Sequence, residues 1–215
     1  YFPDYGAMSL PAPITAHLTE KIKNEHALGF KGGYLYIAPS YELIGAGHYL
    51  IAKLMWDKNA DVPALEKKYY DTLYGAAGKD VLEYYQLLEK HLRKSRREGT
   101  TLNESILARL RGRPDDEEFS AHYTVDAYFP IVDSANQILA RAKGKSLSPA
   151  EQERLQRIQD HQDLLAGTIN GMVAVGRLED DPTKSEDLKM LKEAIALREA
   201  ARAKLKAYAP TLTKH

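Results

Sequence analysis

The chain has 215 residues and balances 30 Lys plus Arg against 30 Asp plus Glu, so no global field draws it to nucleic acid or to an acidic membrane surface. It contains no cysteine, which excludes disulfides, thiolate metal sites and a cysteine nucleophile together. No apolar run reaches the roughly 18–20 residues that cross a bilayer, while the length allows one substantial core or two modest ones.

In chain order, residues 1–5 are aromatic and read as the tail of a strand. Residues 12–28 carry Ile14, Leu18, Ile22, Ala27 and Leu28 at helical spacing, with Pro13 in the opening turn and Gly29 as the stop. Residues 33–37 form a short strand-like run bounded by Gly32 and Pro39. A strand needs neighbours for its backbone donors and acceptors, so this one implies partners earlier in a larger protein. A second apolar stripe, Leu43, Tyr49, Leu50, Ala52, Leu54 and Trp56, makes another helix. Helix, strand and helix in this order follow the grammar of a parallel sheet covered by helices.

Beyond Trp56 the pattern is helical throughout. Asp61 caps a helix with Pro63 in its first turn, ending at Gly75. Val81, Leu82, Tyr85 and Leu88 mark the next, which closes in the basic cluster His91, Arg93, Lys94, Arg96 and Arg97. Cations there complement the macrodipole, so the cluster reads as a solvated helix end. A short helix at 102–110 precedes a linker carrying Gly112, Pro114 and four acidic residues. Residues 125–142 are helical with Pro130 near the true start, and Ser148-Pro149-Ala150-Glu151 is a capping box opening a long helix. Leu188, Leu191, Ile195 and Leu205 define the last one. Gly167-x-x-x-Gly171 marks a close helix–helix approach.

The run Gly45-Ala46-Gly47-His48-Tyr49-Leu50-Ile51-Ala52-Lys53-Leu54-Met55-Trp56-Asp57, with Asp61-Val62-Pro63 and Tyr74-Gly75-Ala76-Ala77 after it, resembles the bacterial glycosidase-like family recorded as domain of unknown function 4838. Gly29-Phe30-Lys31-Gly32-Gly33-Tyr34 is similar to that family's entry to its last barrel strand. The firm likeness spans residues 1–93. It implies a mostly α chain made of the C-terminal end of a (β/α)8 barrel (1–57) followed by an all-α bundle (58–215). It also implies a glycoside hydrolase acting on an oligo- or polysaccharide without a cofactor, secreted or periplasmic, whose catalytic carboxylates precede this segment. The segment itself is then structural and substrate-lining, and inactive alone. The rival expectation is a helical protein-binding or scaffold module with no enzymatic role.

Glycoside cleavage takes two carboxylates, and barrel sites lie at the C-terminal strand ends. In that frame Asp4 and Glu42 are candidate substrate contacts, with a turn and a helix start as their structural alternatives. Tyr5, Tyr36 and Tyr41 are candidate sugar-stacking rings, and His48 follows Gly45 and Gly47 near the same face. Gly45-x-Gly47 lacks the third glycine of a phosphate loop. Trp56, on the stripe with Tyr49 and Ala52, is expected to be a buried anchor, and Tyr69, Tyr70, Tyr74, Tyr84 and Tyr85 are expected to pack. The seven histidines show no metal-ligand spacing.

Overall fold

The structure, a computed structural model, describes residues 15–31, 41–98 and 128–208, with 17, 41–44 and 92–98 by their backbone alone. Its elements are α1 (Thr15–Ala27), α2 (Tyr41–Trp56), α3 (Val62–Tyr74), a 3-10 turn at Gly75–Ala77 and α4 (Gly78–Glu98). After these come a second 3-10 turn at Phe129–Ile131, α5 (Val132–Lys143), α6 (Pro149–Asp180) and α7 (Ser185–Tyr208). No strand occurs among the described residues, which corrects the expected barrel end to an all-helical fold. The segments from which strands were read, 1–5 and 33–37, lie outside the described residues, as do the helix at 102–110 and the acidic linker. The barrel reading set α1 and α2 on the outside of a sheet. They pack on each other directly: a Cβ on Gly47 would stand 3.1 Å from the Leu18 side chain. Helix, short apolar run and helix is an order that a plain helix pair satisfies as well as a βα unit.

The chain divides into two compact units, one of Ala12–Glu89 with Gln137–Ile158, the other of Tyr1–Pro11, Lys90–Asn136 and Gln159–His215. In the first unit the core of α2 is Ala46, Leu50, Ile51 and Leu54. These lie at i, i+4, i+5 and i+8, one face of a helix. Trp56 is on the other side and is 93% exposed, which corrects its assignment as a buried anchor. The reason is that α2 is apolar around most of its circumference, so two stripes compete and spacing alone does not choose between them.

Helix α3 starts as its sequence dictates, with the Asp61 carboxylate accepting from the Ala64 N–H at 3.1 Å. It ends at Gly75, whose φ of 52 is a left-handed value that glycine adopts without a steric cost. Arg154 of α6 donates to the Leu73 carbonyl at 3.0 Å, satisfying one of the orphan acceptors of that last turn. A Cβ on Gly78 would stand 2.8 Å from the backbone of Asp71, so α4 begins hard against α3 only because residue 78 is glycine. The buried carboxylate of Glu89 accepts from the Ala16 N–H at 2.8 Å and so caps α1 from α4.

Tyrosines fill the space between α3 and α4. Tyr70 stacks on Tyr74 and Tyr85 with ring centroids 6.2 and 5.6 Å away, and Tyr84 meets Tyr85 edge-on at 5.0 Å. All four are buried, as the spacing predicts. Burial, reinforced by nearby carboxylates and phenols, pushes the Tyr70 phenol well above its ordinary value near 10, and burial with neighbouring phenols does the same for Tyr85. The folded state therefore holds these protons more tightly than the unfolded chain does. Their contribution to stability is fully present below about pH 10 and is lost as pH rises beyond it. The double variant Tyr70→Phe/Tyr85→Phe should unfold at higher pH than wild type in an alkaline titration followed by helical circular dichroism. A midpoint that does not move upward contradicts the assignment.

In the second unit α6 and α7 come into contact at Gly167, where a Cβ would stand 2.8 Å from the Ala194 carbonyl and the Arg198 nitrogen. Gly171, one turn on, leaves 3.7 Å to the Ala194 Cβ. The small-residue spacing is thus a packing device in a helix pair. Arg177 reaches Asp187 at 3.4 Å near the turn between the two helices, and Asp181 accepts from Thr183 N–H and Oγ1 at 3.1 and 2.7 Å. Those two bonds hold the Asp181 carboxyl below its usual range.

Candidate functional site

The candidate site is a cavity of about 440 Å³ in the first unit, lined by Ala76, Lys79, Asp80, Glu83, Arg141 and Lys145. Three elements build it. Lys79, Asp80 and Glu83 come from the first two turns of α4, Ala76 from the 3-10 turn before it, and Arg141 and Lys145 from the end of α5 and the residues that follow. Asp80 is buried and lies in the first turn of α4, where the positive end of the helix favours a carboxylate. Arg141 lies in the last turn of α5, the end that favours a cation. Local dipoles therefore select both partners before they meet.

Arg141 bridges the two acids, Nε donating to Asp80 Oδ1 and a terminal nitrogen to Glu83 Oε2, each at 2.6 Å. Lys145 approaches the other oxygen of Asp80 at 3.7 Å. The hydrogen bond to Asp80 raises the Arg141 guanidinium above its ordinary value. Chemically the site is a charge-matched clamp. A glycosidase acid must give a proton to the leaving oxygen, whereas both carboxylates here act as acceptors for one guanidinium. The cavity suits binding or structural closure better than acid–base work. Lys79 and Lys145 add positive charge at its wall.

One carboxylate, Glu66, flanks the tyrosine core. Burial pushes the Glu66 carboxyl up, and a hydrogen bond with Gln86 offsets part of that.

Of the residues expected to touch substrate, Asp4, Tyr5 and Tyr36 lie outside the described residues. Tyr41 and Glu42 occupy the first turn of α2 and are described by their backbone alone. His48 is on α2 and is 8% exposed, with its ring inside the protein. Among the described residues no three His, Cys, Asp or Glu side chains are placed to hold a metal ion, and no helix is long and apolar enough to cross a membrane. Sequence reasoning missed the Asp80–Arg141 clamp because its members are 61 residues apart. The signal that could have found it is the acidic first turn of one helix and the basic last turn of another. No protein-family model, no curated protein and no solved structure matches this chain.

Proposed function

We propose that this chain is a non-catalytic, helical portion of a glycoside hydrolase-like protein, supporting a carbohydrate-active site built by other residues. The observation that supports this reading is the use made of the motif residues that carry the resemblance. Ala46, Leu50, Ile51 and Leu54 are the buried face of α2, Tyr74 is in the tyrosine core, and Asp61 and Gly75 cap α3. Residues that serve packing and capping in this way give a family its shared frame. Its chemistry depends on side chains at a site.

The purified chain should leave aryl glycosides unhydrolysed, while the longer protein that carries it hydrolyses at least one glycoside class. Turnover by the chain itself, abolished by Glu42→Gln or Glu66→Gln, would overturn the non-catalytic role. An inactive longer protein would overturn the hydrolase reading. A helical protein-binding module is the second reading, and the exposed pair Met55 and Trp56 at the end of α2 favours it.

A further inference from the structure

Helix α7 has two faces, and among the described residues its buried side chains lie on one of them. Asp187, Ala194 and Ala201, seven residues apart, are its buried residues. On the side away from them a second stripe runs through Leu188, Lys192, Ile195, Glu199 and Ala203, at steps of four, three, four and four. Every residue of this stripe is exposed, Leu188 at 44% and Ile195 at 51%. Leu188 and Ile195, one heptad apart on this outer face, are the apolar contacts that a helix–helix seam would use. The charges on this seam then say what fits it.

We propose that α7 pairs with the same helix of a second copy, antiparallel and related by a two-fold axis between Ile195 and Ala196. An isologous contact must be self-complementary, residue i meeting j while j meets i. Four members of the stripe satisfy that requirement among themselves, and Ile195 takes the exposed Ala196 beside it as its counterpart. About this axis Leu188 meets Ala203, Ile195 meets Ala196, and Lys192 meets Glu199, each twice. Lys192 has no ion-pair partner among the described residues, so it is a cation available for this contact. Glu199 is exposed and bridged on its own helix by Arg198 and Arg202 at 3.5 and 3.6 Å. The one unfavourable match is Lys189 against Arg202. It is softened because each has a carboxylate on its own helix, Glu193 at 3.9 Å and Glu199 at 3.6 Å. With 24 residues α7 is about 36 Å long, enough for several heptads of contact. The pairing rests on α7 alone and stands apart from the glycoside reading.

Sedimentation of the full chain over a concentration series reaching the high micromolar range tests it. Wild type should associate to a dimer. Ile195→Glu and Lys192→Glu should each weaken association about tenfold or more, because they set a carboxylate in the apolar seam or against Glu199. Both positions are exposed, so helical content and thermal midpoint should stay at wild-type values. The double variant Lys192→Glu/Glu199→Lys exchanges the charges and should recover most of what Lys192→Glu loses. A monomeric wild type at every concentration, or a dimer indifferent to Lys192→Glu and Ile195→Glu, overturns the seam. Failure of the exchanged pair to recover association overturns the antiparallel register.

Discussion

Changing Lys204 to Met and Tyr208 to Phe together should lower stability by about 3–5 kcal/mol, the cost of stripping partners from a buried charge. Asp160 on α6 is 0% exposed and accepts from the Tyr208 hydroxyl at 2.6 Å and from Lys204 Nζ at 3.3 Å. Both partners come from the last two turns of α7. They are themselves part-exposed, so the energy is asymmetric. Losing them leaves a carboxylate in the interior with fewer donors, whereas losing the carboxylate lets lysine and phenol return to water. Tyr208→Phe alone should cost about 1.5–3 kcal/mol, the range for a hydrogen bond to a charged group. Asp160→Asn should cost less than the double variant. Chemical denaturation read by circular dichroism checks the order. A double variant within about 0.5 kcal/mol of wild type, the range of an ordinary surface change, would show that α7 is held by its alanine contacts and not by this clasp.

Leu54 and Trp56 are two residues apart on α2 and should respond oppositely to truncation. Leu54 is fully buried, so Leu54→Ala should cost about 2–5 kcal/mol through lost transfer energy and the cavity left behind. Trp56 touches water over nearly all its surface, and Trp56→Ala should stay within about 0.5 kcal/mol. Denaturation midpoints of the two variants are the measurement. Native-state fluorescence offers a second check, since this single indole should already emit at the long wavelengths of a solvated ring and shift little on unfolding. A blue-shifted native emission, or a Trp56→Ala loss as large as that of Leu54→Ala, would return the ring to the core.

Local features were the legible ones. Asp61 as a cap, Gly29 and Gly75 as stops, Pro130 just ahead of α5 and the reciprocal bonds of Ser148 and Glu151 all depend on residues within a few positions of one another. Their chemistry is written in a short window of sequence. The Gly167–Gly171 approach was legible for a similar reason, because a helix fixes which residues share a face. Three kinds of information were not local. The barrel was inferred from a short apolar run between two helices, whereas α1 and α2 pack on each other and α1 is capped from α4, contacts that no short window shows. The choice of buried face on α2 depended on which side its neighbours cover, and its apolar residues offered two. The clamp of Asp80, Glu83 and Arg141 and the clasp on Asp160 join positions 44 to 61 residues apart, and no periodicity links them.

The Glu151 side chain reaches back to Gly75, where α3 ends and the 3-10 turn begins. Its carboxylate accepts from the Ser148 N–H at 2.7 Å to close the capping box, which holds that carboxyl below its usual range. The same carboxylate fills the space where a side chain on Gly75 would begin. Positions 75, 148 and 151 therefore form one interdependent set, although the first is more than seventy residues from the others. A larger residue at 75 displaces the carboxylate and undoes the cap of α6, while a shorter residue at 151 loses the cap and frees room at 75. Substitutions at these three sites are expected to combine non-additively, so what a change at 75 costs depends on the residue that stands at 151.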